Sequence, residues 1–301
     1  MNNKMTIFKS VPIAKKLGRH ALFMLLFFAS GYASAISPGF TTKEIKFVSE
    51  GVSLAGTIFT PNNIQAAIVL VHGSGQEKRM IAFATILANN GIAVLTYDKR
   101  GVGASAGIYA GPEVGTNNVD FANLHLLSLD ASAALDALSE SLSYNKIPIG
   151  LTGASQAGWI IPLAAAKNKK VRFMAIFSGA IVTAKEQLRF QFYTNGNNNF
   201  WDTHSEEEAR KHVFNDPDKY EFADTDPNDI LSKLSIPGLW IFGGKDIQVP
   251  VNLSIESLDR LKSEGKHYTY KLFPNLGHNT AFSDSEAPMK DAINWMKKQQ
   301  N

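Results

Sequence analysis

Apolar residues along this chain follow two rhythms. In "AAIVLVH", "GIAVLTY", "IPIGLTG", "VRFMAIFSG" and "IPGLWIFGG" they run almost continuously and stop at glycine or a polar residue. Runs of that kind suit strands covered on both faces. "KEIKFVS", "VSLAGTIFT" and "HYTYKLF" are further strands, the second alternating in character and joined to the first by a tight Glu50-Gly51 turn. Between the strands lie segments with helical spacing: "RMIAFATILANNG", "NVDFANLHLLSLDASAALDALSES", "QAGWIIPLAAAK", "LSIESLDRLKSEG" and "APMKDAINWMKKQ". The first of these stops at Asn-Asn-Gly, and the third carries Pro162 near its first turns. Eight strands alternating with helices predict an α/β fold, with a mostly parallel eight-stranded sheet and helices on both faces.

One stretch breaks the alternation. Residues 182–230 are too long for a single crossover helix and are rich in Phe, Tyr, Trp and Asn. An insertion after a strand of such a sheet tends to lie over the carboxyl edge, where these folds bind ligands. The stretch is therefore expected to form a small helical lid. Its acidic "SEEE" reads as a capping box, with Ser205 answering Glu208, since acids suit a helix's first turn.

Composition and charge change the picture at the N-terminus. Lys4, Lys9, Lys15, Lys16 and Arg19 precede the apolar "ALFMLLFFAS", and "ASA" follows at residues 33–35. That order describes a secretory signal peptide over residues 1–35, cleaved after Ala35, leaving one domain over 36–301. The apolar run is shorter than the ~20 residues that cross a bilayer, so no stable membrane anchor is expected after cleavage. The product is expected in the periplasm or outside the cell. Removing five positive charges and no acids takes the formal net charge from +3 to −2, which withdraws the compositional support for nucleic-acid binding. The 301 residues include no cysteine, which excludes disulfides and thiolate metal sites, and no H-E-x-x-H cluster suggests a metal. Nothing in the pattern sets the number of subunits.

The chemistry is concentrated around "IGLTGASQAGWIIPLAAA", residues 149–166. Ser155 falls where a core strand turns into a helix, the setting of a strained nucleophile elbow. Gly153 and Ala157 leave room there for close packing, although the usual G-x-S-x-G pattern ends here in Ala. A serine hydroxyl needs a base to take its proton, and the base needs an acid to orient it. The expected order is Ser, then Asp or Glu, then His. Asp246 in "GGKDIQVP" and His278 in "PNLGHNT" both follow core strands and share the carboxyl edge with Ser155. His204 and His212 lie in the insertion, and His267 starts a strand at the opposite edge. The oxyanion hole is expected from the backbone N–H groups of Gln156 and Ser74, the latter in "VHGSG", with His72 bracing that loop.

"HGSG", "YDKRGVGAS", "GASQAGWIIPLAA", "GGKD" and "LGH" together resemble the α/β-hydrolase superfamily, from about residue 43 to the C-terminus. The likeness is to bacterial exported hydrolases related to carboxylesterases, acyl thioesterases and serine peptidases. It implies Ser155 as nucleophile, Asp246 as acid, His278 as base, and no cofactor.

Competing patterns are weaker. "GVGASA" satisfies G-x-G-x-x-A after a strand, but "GIYAGPEVGTNN" behind it lacks the helix a pyrophosphate needs. Asp98 and Arg100 are instead expected to shape a turn. A binding module that kept the fold without catalysis is the other alternative. The favoured reading is a serine hydrolase acting through an acyl-enzyme on an ester or thioester of a small apolar acyl group, with peptidase, aminopeptidase or acyltransferase action as the alternative. Phe192 and Trp201 in the insertion are expected to line the acyl pocket. The partner is then a small-molecule acyl substrate.

Overall fold

Eight strands form one sheet in the computed structural model, which describes residues 39–109, 118–142 and 147–299. In chain order they are β1 (Phe40–Ser49), β2 (Val52–Pro61), β3 (Ala66–Val71), β4 (Ile92–Tyr97), β5 (Ile149–Ala154), β6 (Phe173–Phe177), β7 (Gly238–Gly243) and β8 (Tyr268–Phe273). Their spatial order is β1-β2-β4-β3-β5-β6-β7-β8. β1 and β2 pair antiparallel, as do β2 and β4, and every later pairing is parallel. β1 starts at Phe40 rather than Lys43, because its ladder to β2 runs on to the Phe40–Pro61 pair. The threonines before Lys43 carry no apolar signal, yet β-branched side chains suit an edge strand. The leader predicted over residues 1–35 lies outside the described residues.

Period-two alternation sorts the central strands between two cores. Ala67, Val69 and Val71 of β3 face one cluster, and Ala66, Ile68 and Leu70 face the other. The first face is covered by α2 (Phe121–Leu142), α3 (Ala157–Lys167) and α8 (Val251–Ser263), through Leu135, Ile161 and Leu258 among others. The second is covered by α1 (Ile81–Asn89) and α9 (Ala287–Met296), through Phe83, Leu87 and Met296. Each fully buried side chain of this size contributes about 1.5–3 kcal/mol. That double cover is why these strands read as unbroken apolar runs.

Register aligns the strand ends that carry the site. Val71 pairs with Gly153, Ala154 with Phe177, and Gly243 with Phe273. The loops after β3, β5, β6, β7 and β8 therefore leave the sheet at one edge. Between β6 and β7 lie α4 (Ala184–Thr194), α5 (Phe200–Thr203), α6 (Glu206–Asn215) and α7 (Pro227–Leu231). Thr183 with Glu186 caps α4, and Ser205 with Glu208 caps α6, each as a reciprocal box. The acids of "SEEE" thus occupy a helix's first turn, as their pattern implied.

Candidate active site

Ser155 joins β5 to α3 with φ at 57°, in the left-handed region that non-glycine residues avoid. Such strain persists only where the surroundings over-determine it. Here the Ser155 N–H donates to the Phe177 carbonyl at 2.9 Å, and the Gly158 N–H donates to the Ser155 carbonyl at 2.8 Å. A Cβ on Gly153 would collide with the Val71 carbonyl and come within 2.7 Å of the Ala157 Cβ. On Gly158 it would sit 2.8 Å from the Cα of Gly179. Both sites admit only glycine without displacement, and the Cβ of Ala157 faces Gly153.

Asp246 and His278 leave the sheet at the same edge and meet. Asp246, 1% exposed, accepts the His278 Nδ1–H through Oδ2 at 2.8 Å. Its Oδ1 accepts the backbone N–H groups of Gln248 at 2.7 Å and Val249 at 3.0 Å. Holding the proton on Nδ1 leaves the Nε2 lone pair of His278 free to act as a base. The His278 loop is fastened to the sheet by Thr280, whose hydroxyl lies 2.9 Å from that of Ser178, itself at φ 47°. Among the described residues no hydrogen bond joins Ser155 to His278. Such contacts often tighten only when substrate is bound.

The loop after β3 lies beside the elbow. Ser74, Ser155 and Gln156 line one cavity of about 510 Å³. Among the described residues, neither the Ser74 nor the Gln156 backbone N–H has an acceptor within the protein. His72 is buried and holds Nε2 at 2.6 Å from the Tyr97 carbonyl, so Nε2 carries the proton. Burial, reinforced by the charge of Lys99, drives its pKa down to about 3. It is a neutral brace.

Two side chains near that loop escaped the sequence reading. Lys99 is 2% exposed and its Nζ donates to the carbonyls of Gly73 at 2.7 Å and Gly75 at 3.2 Å, and to Gln156 Oε1 at 3.2 Å. Gln156 also donates from Nε2 to the Asn118 carbonyl at 2.5 Å, so its side chain takes part in the site's framework. Glu77 accepts the Gly73 N–H at 3.0 Å, and burial raises its pKa against the pull of Lys99 and that N–H. Asp98 and Arg100 shape the neighbouring turn. Arg79 donates to Asp98 from Nε at 3.3 Å, and Arg100 donates from Nε to Asp130 at 3.0 Å. Residues 101–104 form turns, and the described residues 105–109 behind them are not helical.

The two aromatics expected in the pocket part company. Phe192 lines the cavity, but Trp201 does not. Its indole packs on Phe190 and Phe200, with ring centroids 6.0 and 5.0 Å away, and its Nε1–H donates to the Asp246 carbonyl at 2.8 Å. Thr194 Oγ1 donates to the Ile247 carbonyl at 2.5 Å, and Gln187 Nε2 to the Gln248 carbonyl at 2.6 Å. Three donors from α4 and α5 thus grip three consecutive carbonyls of the loop that carries Asp246. His204 and His212 stack on Phe200 and Tyr193, at 4.3 and 3.6 Å. Among the described residues no three His, Cys, Asp or Glu side chains are grouped to hold a metal ion.

Comparison with known proteins adds the wider setting. A family model described as serine aminopeptidase, S33, matches residues 62–229. No curated protein sequence matches the chain. An esterase of Pyrococcus furiosus is similar in structure with a TM-score of 0.63 at 17% identity, covering 86% of this chain and 91% of its own. An acylaminoacyl peptidase of Pyrococcus horikoshii gives a TM-score of 0.60 at 18% identity, covering 86% of this chain but 41% of its own. A hypothetical protein of Pseudomonas aeruginosa gives 0.56 at 16% identity, over 87% and 94%. At these identities the structures share the fold.

Proposed function

Because the chain belongs to the serine aminopeptidase (S33) family of α/β-hydrolases and is therefore a serine hydrolase, we propose that it cleaves an ester or thioester through an acyl-enzyme on Ser155. The observation that carries this reading is the Asp246–His278 hydrogen bond at the same sheet edge as the strained Ser155 elbow. In the proposed reaction His278 Nε2 takes the Ser155 proton as Oγ attacks the acyl carbon. The oxyanion forms against the Ser74 and Gln156 N–H groups. His278 then protonates the leaving alcohol or thiol, and water repeats the sequence to free the acid.

A small apolar acyl group is supported by Val119, Leu188, Phe192 and Val249 in the cavity wall. An aminoacyl amide would bring an ammonium, and none of the described lining residues is a carboxylate to receive it. Within the pocket, each methylene accommodated is expected to raise kcat/KM by the equivalent of roughly 1 kcal/mol. The leader reading makes this an exported enzyme, and the N-terminal residue of secreted material checks it, Ile36 being expected.

The direct test is labelling with a fluorophosphonate, followed by peptide mapping. A single adduct on Ser155, lost in Ser155→Ala, is the expected result. Labelling elsewhere would mean the site is wrong. A panel of matched esters, thioesters and aminoacyl amides then separates the substrates, and kcat/KM favouring the amide would replace this reading with a peptidase.

A further inference from the structure

The cavity above Ser155 is polar in an unusual way. Its lining includes six carboxamides, those of Asn118, Gln156, Gln187, Gln191, Asn195 and Gln248, and none of its described lining residues is charged. Two of the six are engaged inside the protein. Gln156 bridges Lys99 and the Asn118 carbonyl, and Gln187 holds the Gln248 carbonyl. The side chains of Asn118, Asn195 and Gln248 have no hydrogen-bond partner among the described residues, and neither does the amide nitrogen of Gln191.

Asn118 makes the strongest case. It is 8% exposed, lines the cavity, and leaves a carboxamide unpaired there. Its carboxamide is not among the described buried polar atoms cut off from solvent, so it opens on the cavity and is available to a ligand there. Each carboxamide offers two donors and an acceptor with two lone pairs, which matches hydroxyl groups that both give and accept. Among the described lining residues a charge would find no counter-ion: Lys219, with Nζ 4.0 Å from the Phe192 ring centroid, is not one of them. Three aromatic residues, Trp159, Phe192 and Tyr220, share the lining. Trp159 spends its indole N–H on the Val182 carbonyl at 3.0 Å, so it offers the cavity only apolar surface.

Aromatic surface beside neutral, two-way hydrogen-bonding groups fits a molecule with C–H faces and a rim of hydroxyls. We infer that the site is built for acyl esters of an uncharged, multiply hydroxylated alcohol, such as a sugar, rather than for esters of plain alkanols. The inference rests on the Ser155 reading above and narrows its leaving group. The acyl chain stays with Ser155 in the first step, and the free polyol departs with the proton from His278.

The test uses the full chain and three probes sharing one acyl group: methyl 6-O-butyryl-glucopyranoside, hexyl butyrate and p-nitrophenyl butyrate. The sugar ester is expected to exceed hexyl butyrate in kcat/KM by at least about a hundred-fold, since sites made to hydrogen-bond a hydroxyl discriminate strongly against analogues lacking it. Asn118→Leu and Gln248→Leu should each lower that ratio about fivefold to tenfold, the scale of one neutral hydrogen bond. Taking the ratio removes general damage, and the second variant serves if the first does not fold. Equal rates for the sugar and hexyl esters, with p-nitrophenyl butyrate cleaved and Ser155 labelled, would overturn the inference and leave the serine mechanism standing. An unlabelled Ser155 with none of the three esters cleaved would overturn both.

Discussion

Around Ser155, position is enforced by backbone. Gly153 against the Val71 carbonyl, Gly158 against Gly179 and the Ser155 N–H on Phe177 leave the elbow one conformation. The β6–β7 insertion is organised differently. Its helices α4, α6 and α7 are capped by side chains, and the insertion packs through Phe190 and Phe200 and reaches the sheet edge through Trp201, Thr194 and Gln187. On the proposed reading, the reacting serine sits in a part of the molecule that tolerates little change in shape, while the insertion supplies Gln187, Leu188, Gln191, Phe192, Asn195 and Tyr220 to one side of the cavity and is held by exchangeable side chains. The two are joined at Asp246, which belongs to the sheet edge but whose loop is gripped by the insertion.

Four substitutions probe that division, from the most damaging down. Ser155→Ala or His278→Ala should lower kcat by up to about a million-fold with the far-UV circular dichroism unchanged, and Asp246→Asn by about ten-thousand-fold. Mild and equal losses in steady-state assays would place the chemistry elsewhere. Lys99→Met should cost about a hundred-fold in kcat with little change in KM, because it unfastens the Gly73 and Gly75 carbonyls and so releases the Ser74 N–H. A rise in KM alone would make Lys99 part of substrate binding instead.

His72 should make the elbow side of the molecule acid-sensitive. Its folded pKa of about 3 lies below the ordinary 6.5, so the unfolded chain binds the proton more readily. Its contribution is complete above pH 6.5 and is lost as pH falls toward 3, at about 1.4 kcal/mol per pH unit. Urea unfolding between pH 7 and 5 should show a shallower dependence in His72→Phe than in the wild type. Identical slopes would mean that His72 is protonated in the fold. The smallest effect is expected from Trp201→Phe, which keeps a ring but removes the donor to the Asp246 carbonyl. About 1 kcal/mol of stability and a several-fold fall in kcat should follow, with the ester preference kept. A changed preference with unaltered kcat would return Trp201 to the pocket wall.

The same division explains what could be read from the chain beforehand. The five strands β3 to β7 were legible because burial on both faces leaves an unbroken apolar run, and the elbow because small residues must flank Ser155. Asp246 and His278 were legible through their places after β7 and β8. Trp201 was misplaced because aromatic composition says nothing about which way a ring faces in a short helix. Lys99 gave no signal, since a lysine after a strand looks like a solvated residue until its three acceptors are seen. The carboxamides of the cavity come from four separate parts of the chain, and only the fold assembles them.

The grip on the Asp246 loop carries an evolutionary consequence. Trp201, Thr194 and Gln187 hold carbonyl oxygens, which residues 246, 247 and 248 present whatever side chains they bear. Descendants can therefore let positions 247 and 248 drift while the attachment is inherited intact. A replaced insertion of different length and taste would inherit the catalytic edge unchanged, provided it brought three donors to the same row of oxygens.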